Sequence, residues 1–144
     1  LTAYFDLEEG MAAAKILKKP IMLDFTGHTC PNCRKMEEQV WRDPAVLSRI
    51  KENFVLVSLY VDETEELPIN EQYTDKNGVK IETVGGKNLD YEIKTFGFNA
   101  QPLYMFLDLN GKPLSDVKYG YDPSVAGFIK HLDAVKAAFD AANK

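Results

Sequence analysis

Ile21-Met22-Leu23-Asp24-Phe25-Thr26-Gly27-His28-Thr29-Cys30-Pro31-Asn32-Cys33 is the stretch on which the reading of this chain turns. Ile21 to Thr26 is an apolar run holding one acid, Asp24, which is the pattern of a strand buried on both faces. Gly27 to Thr29 predicts a turn. Pro31 suits the first position of a helix, where an N–H would lack a partner anyway. Cys30 therefore falls at the helix N-terminus and Cys33 about one turn further in.

That placement has a chemical consequence. Attack on a disulfide requires a thiolate, and a free cysteine has a pKa of about 8.5. A helix N-terminus offers partial positive charge and unpaired N–H groups, both of which favour an anion. Cys30 is thus expected to attack, and Cys33, more sheltered, to resolve the mixed disulfide that results. These are the chain's 2 cysteines, too close together to staple distant elements. A tetrahedral zinc site needs four ligands. No second cysteine pair exists, and His28 and His131 are not spaced as a ligand pair. A redox dithiol is the better reading, with no metal and no cofactor expected beyond the dithiol itself.

Asp24 is the second informative residue. An acid inside a buried strand is costly unless it has a role or a partner. The strand can point it beneath the dithiol, where it would take the proton from Cys33. The competing reading is an edge position where water solvates it. His28 likewise has two readings, a tuning group for the thiolate or an exposed loop histidine.

Outward from this centre, Asp6 can cap a helix running to about Lys19, with Leu7, Met11, Ala14 and Leu17 on one face and Pro20 as its stop. After the dithiol, Met36, Val40 and Trp41 give the second helix its apolar side. Asp43-Pro44 breaks it and begins another turn or two through Ile50. Phe54 to Asp62 reads as a strand. A polar stretch, Glu63 to Lys87, follows as an insertion, with a small hairpin at Asn77-Gly78. Asn88 to Phe96 predicts a helix ended by Gly97. Leu103 to Asp108 and Leu114 to Tyr119 predict strands joined at Asn110-Gly111. A final helix opens at Asp122-Pro123 and carries the stripe Val125, Phe128, Ile129, Leu132, Val135 and Phe139. The fold class is α/β, a mixed central sheet with helices on both faces, and residues 1–144 read as one domain. Composition favours a trans bond before Pro102, since a proline is tolerated at a strand's start.

The net charge of -5 and the absence of a basic stripe argue against a nucleic-acid partner. The longest apolar run, Phe54 to Val61, is far too short to span a bilayer. The N-terminus has no basic start or apolar stretch, so the chain reads as a mature protein or an excised soluble domain.

Asp24-Phe25, Cys30-Pro31-Asn32-Cys33 with Arg34-Lys35, and Pro102 before a strand hairpin together resemble the thioredoxin superfamily over most of the chain, from Ile21 onward. The resemblance implies a thioredoxin-like fold, a buried acid at Asp24, a nucleophile at Cys30 and a cis-proline at Pro102 facing the dithiol, which reverses the composition-based expectation. It also implies that Gln101, Pro102, Pro31 and Asn32 form the substrate-binding surface. A narrower resemblance rests on Lys19 to Phe25, the helix Cys33 to Trp41, Asp43-Pro44-Ala45-Val46 and Ala100-Gln101-Pro102. These are similar to the C-terminal periplasmic domain of the transmembrane reductase DsbD, in versions from Bacteroides-type bacteria that carry an insertion ending near Thr83-Val84-Gly85. In that family an acid follows the dithiol, and Glu37 matches its position; a solvated helix face is the competing reading of Glu37. Thioredoxin proper usually has Trp before its first cysteine and Gly-Pro between the two, where this chain has Thr29 and Pro31-Asn32.

What the resemblance implies is a periplasmic protein-disulfide reductase domain, tethered to the inner membrane in its parent chain or free. It would exchange with protein thiols and disulfides and take electrons from a membrane-embedded redox partner or from the rest of its parent protein. The alternatives are a periplasmic disulfide oxidase or isomerase, and a non-catalytic peptide-binding module.

Overall fold

The computed structural model describes residues 1–143. Helix α1 spans Leu7–Leu17, with Asp6 accepting from the Glu9 N–H at its start and Lys18 in the left-handed region, φ 55°, at its end. Strand β1 is Ile21–Thr26, buried along its whole length. Helix α2, Pro31–Met36, passes into a π-turn, Glu37–Trp41. A π-turn brings residues five apart onto one face, and this one lets Met36, Val40 and Trp41 all face inward, each at most 7% exposed. Helix α3, Pro44–Asn53, is longer than the turn or two expected through Ile50. The Asp43 carboxylate, accepting from the Ala45 N–H, and Pro44 in its first turn start it cleanly.

Strand β2 is Val55–Tyr60. Two short strands, β3 (Tyr73–Thr74) and β4 (Lys80–Ile81), form the expected small hairpin. Its turn closes because Asp75 Oδ1 accepts from the N–H groups of Asn77 and Val79, while Gly78 adopts φ 82°. The Tyr73 hydroxyl donates to Asp90, fastening the hairpin to helix α4, Val84–Phe96. That helix starts inside the stretch read from the sequence as insertion, because the Thr83 hydroxyl caps it by accepting from the Gly86 N–H. Strand β5 is Leu103–Leu107 and helix α5 is Val125–Ala142.

The expected strand Leu114 to Tyr119 does not form. Only single bridges, Leu107 with Pro113 and Tyr104 with Tyr119, tie this segment to β5. Ser115 Oγ accepts from the Val117 N–H, a local bond that competes with a ladder and lets the segment bulge away between its two attachments.

The main sheet has the order β2-β1-β5, with β1 parallel to β2 and antiparallel to β5. Tyr4 extends it by bonding to both Leu56 and Ser58 of β2. On one face Met22, Leu56, Tyr104 and Phe106 pack against the π-turn, α3 and α5. On the other, Leu23, Phe25, Val57, Leu59 and Met105 pack with Ala14 of α1 and Phe96 of α4. The helices thus cover both faces, as the sequence predicts.

The approach of α4 to the end of β2 needs a glycine. A Cβ on Gly85 would lie 2.6 Å from both the N and O of Glu63 and 2.8 Å from the Val61 carbonyl oxygen. Those are backbone atoms and cannot swing aside. We expect Gly85→Ala to lower stability by about 2–3 kcal/mol, the overpacking cost outweighing a helix-propensity gain of about 1 kcal/mol. Urea denaturation checks this; an unchanged midpoint would mean that the helix shifts freely.

Candidate active site

The period-2 alternation of the sheet builds the floor of the site. Along the face covered by α2, Met22 is followed by Asp24 and Thr26 on β1, and Leu56 by Ser58 on β2. Across from Asp24, Tyr104 of β5 faces the same way. The surface therefore changes from apolar to polar where β1 ends and the dithiol loop begins. Asp24 lies on the central strand, 2% exposed, so the solvated-edge reading is excluded. Its Oδ2 accepts from the Ser58 hydroxyl at 2.9 Å. Burial pushes its carboxyl up to about 7; the Ser58 bond opposes this only in part, Glu37 adds repulsion and Arg34 some attraction. Tyr104, also buried against Asp24 and Glu37, is held well above its ordinary value.

Above this floor, Cys30 is the N-cap of α2 and is joined to Cys33 in a disulfide, with the Cα atoms 5.3 Å apart. Cys30 Sγ accepts from the Cys33 N–H at 3.2 Å, the kind of bond that stabilises sulfur charge at a helix start. Cys30 is half-buried while Cys33 is 1% exposed. Pro31 and Asn32 between them are exposed.

The loop ahead of Cys30 is held by a residue that sequence reasoning missed. Asp62, just beyond β2, accepts from the His28 N–H at 2.9 Å, with the Thr29 N–H at 3.4 Å. An acid directly after a strand that runs parallel to β1 was the available signal. His28 is a mostly exposed loop residue, but it stacks on Tyr60 with ring centroids 4.1 Å apart, and its Nε2 lies 3.2 Å from Glu63.

Glu37 is neither buried nor freely solvated. Arg34 donates to its Oε2 at 3.0 Å and, from the same nitrogen, to Thr26 Oγ1 at 3.0 Å. Partial burial raises the Glu37 carboxyl, and Arg34 opposes the shift. Arg34 thereby bridges the helix to the end of β1, a link that spacing alone does not reveal.

The Gln101–Pro102 peptide bond is cis, as the resemblance implies and composition does not. Register puts it beside the site, because Leu103 pairs with Phe25, one residue before β1 ends. Gln101, Pro102, Asp24, Cys30 and Cys33 therefore converge at one end of the sheet. Among the described residues no group of three or more His, Cys, Asp or Glu side chains is arranged to hold a metal ion.

A dithiol on a helix N-terminus, over a buried acid and beside a cis-proline loop, defines a thiol–disulfide oxidoreductase. The chain belongs to the thioredoxin-like domain family, whose model matches residues 7–136. Over 130 residues it is 29% identical to the thiol:disulfide interchange protein DsbD of Vibrio vulnificus, covering 90% of this chain but only 18% of that protein. Its fold is similar to the solution structure of a thioredoxin from Thermus thermophilus, with a TM-score of 0.69 and 23% identity over 100% of this chain and 93% of that one. It is also similar to the C-terminal domain of Neisseria meningitidis DsbD in the oxidised form, with a TM-score of 0.57 and 17% identity over 92% of this chain and 97% of that one.

Proposed function

We propose that the chain is a periplasmic reductase domain, one folded unit over residues 1–144 with an insertion at about 63–87, and that it passes electrons to partner proteins by dithiol–disulfide exchange. The Cys30 thiolate attacks a sulfur of the partner's disulfide; one partner thiolate leaves and a mixed disulfide forms. Asp24, as carboxylate, accepts the proton of Cys33, whose sulfur attacks Cys30 Sγ. The second partner thiolate is released, and the Cys30–Cys33 disulfide forms. Two electrons have moved to the partner. A dithiol on a membrane-embedded redox protein, or on the rest of a parent chain, restores the reduced form. Glu37 adds negative charge near Asp24 and helps hold its proton affinity near neutrality. Pro31, Asn32, Gln101 and Pro102 form the surface against which the partner's segment lies extended.

The observation that supports this most is Asp24, buried on the sheet face beneath the half-buried Cys30 and the sheltered Cys33, with its carboxyl pushed up to about 7. Such a group can accept and return a proton at neutral pH. The similarity to DsbD supports the periplasmic reductase reading. No helix among the described residues is long and apolar enough to cross a membrane, so a membrane partner or tether would lie outside them.

Equilibration of the protein with dithiothreitol redox buffers tests the direction. A reductase should show a potential below roughly −200 mV, whereas a value near −120 mV marks a strong oxidant and would overturn the reductase reading. Partner binding that persists with both cysteines changed to Ser would favour the peptide-binding module instead.

A further inference from the structure

Helix α4 buries a carboxylate that the exchange chemistry does not use. Glu92 has no exposed surface. It shares the inward stripe of α4 with Gly85, Asn88 and Phe96, where an apolar side chain would be expected. Its Oε1 accepts from Gln101 Nε2 at 2.9 Å, and its Oε2 is buried without a hydrogen-bond partner. Burial pushes its carboxyl up to about 7, against the opposing pull of the Ala100 N–H and the Gln101 amide. An incompletely satisfied buried carboxyl costs stability, so stability does not account for it.

Its neighbours on the stripe point to what it does. Gly85 brings the helix against the backbone of Val61 and Glu63, and Asn88 Nδ2 donates to the Tyr60 carbonyl at 3.0 Å. Those contacts fix the segment whose Asp62 holds the amides ahead of Cys30. Glu92 fixes the other segment at the site, the residue before Pro102. One face of α4 thus grips both loops that frame the dithiol.

We propose that Glu92 is a positioning residue for partner recognition: through Gln101 it holds the backbone ahead of Pro102 in the orientation that receives an extended segment of the partner protein. The inference rests on the exchange reading given under Proposed function. A loop fixed in advance loses less conformational freedom when a partner binds. Glu92 should therefore matter for substrates with a peptide backbone and not for small disulfides.

Two disulfides separate these cases: a fluorogenic peptide disulfide, and hydroxyethyl disulfide, which has no peptide backbone. Glu92→Leu keeps the volume and removes the acceptor. We expect it to fold, to be at least as stable as the parent, and to raise KM for the peptide about tenfold, the value of one lost hydrogen bond, with kcat little changed. Its rate with hydroxyethyl disulfide should not change. Glu92→Gln retains an acceptor and should restore the parental KM. Gln101→Leu removes the donor instead and should reproduce the KM rise, so the inference stays testable even if Glu92→Leu folds poorly. An unchanged peptide KM in both Leu variants, an equal loss with both disulfides, or a Glu92→Gln variant as impaired as Glu92→Leu would overturn the inference. If the parent protein reduced neither disulfide, the exchange reading would fall, and this inference with it.

Discussion

Cys33→Ser should lock this protein onto its partners through Cys30. The exchange passes through a mixed disulfide that normally ends when the second thiol attacks the first. In the folded chain that second thiol is Cys33, 1% exposed and one turn into the helix, poorly placed to meet a large partner but well placed to meet Cys30. Removing it leaves the first step intact and blocks the second. In a native-like cell envelope, Cys33→Ser should accumulate covalent adducts that dissolve on reduction. Among them we expect a membrane protein carrying its own cysteine pair. Cys30→Ser should accumulate none, and its turnover should fall to background, because the remaining thiol is buried. In the reduced parent protein, alkylation near neutral pH should label Cys30 well before Cys33. Trapping by Cys30→Ser and not by Cys33→Ser would reverse the two roles.

Asp24→Asn should make the protein slower and more stable at once. The carboxyl has a folded-state pKa raised from 3.8 to about 7, chiefly by burial. Between those values the native state holds a proton that the unfolded chain has released. The contribution of this group to stability is therefore greatest below the unfolded value, declines as pH rises towards 7, and stays low above it. The penalty at alkaline pH is on the order of 4 kcal/mol, which an uncharged Asn avoids, less the cost of its own buried amide. Asp24→Asn should raise the melting temperature by several degrees at pH 8, at about 2–4 °C per kcal/mol for a chain of this size, and should not raise it at pH 4. The resolving step should slow about a hundredfold, the low end for loss of a general base. Both are measurable on one preparation, by calorimetry at two pH values and by release of a preformed mixed disulfide. Equal stability changes at both pH values would show that burial does not raise the carboxyl above its unfolded value. Unchanged release would leave Asp24 as scaffold.

Much of the architecture was legible along the chain because it is written in local terms. Gly97 and the capping residues Asp6 and Asp43 punctuate elements within a few positions of themselves, and the structure ends or begins helices there, whereas α1 ends at Leu17 on a left-handed Lys18, ahead of the Pro20 read as its stop. The hairpin at Asn77-Gly78 depends on an aspartate and a glycine only a few residues apart. The misreadings have equally physical causes. Leu114 to Tyr119 alternates like a strand, but whether it pairs along its length depends on β5 and on a competing Ser115 hydroxyl, not on its own pattern. The π-turn at Glu37–Trp41 follows from the need to bury Val40 and Trp41 together, which only the packed sheet imposes.

At the site the division is sharper. Sequence alone singled out the cysteine pair and its placement, because a proline-marked helix start puts Cys30 at the charged end and Cys33 one turn inside. It also singled out Asp24, because a lone acid in an apolar strand is conspicuous. What only the tertiary structure decided is everything that depends on groups distant in the chain meeting in space. Ser58, 34 residues away, supplies the hydrogen bond to Asp24. Asp62 holds the loop before Cys30, Arg34 ties the helix to Thr26, and Glu92 holds Gln101. Side chains of this kind look like ordinary surface residues in a sequence. Their energetic meaning appears only when the sheet register and the packing of α4 bring them to their partners and, for Ser58 and Glu92, remove them from water, where a polar group must find a specific partner.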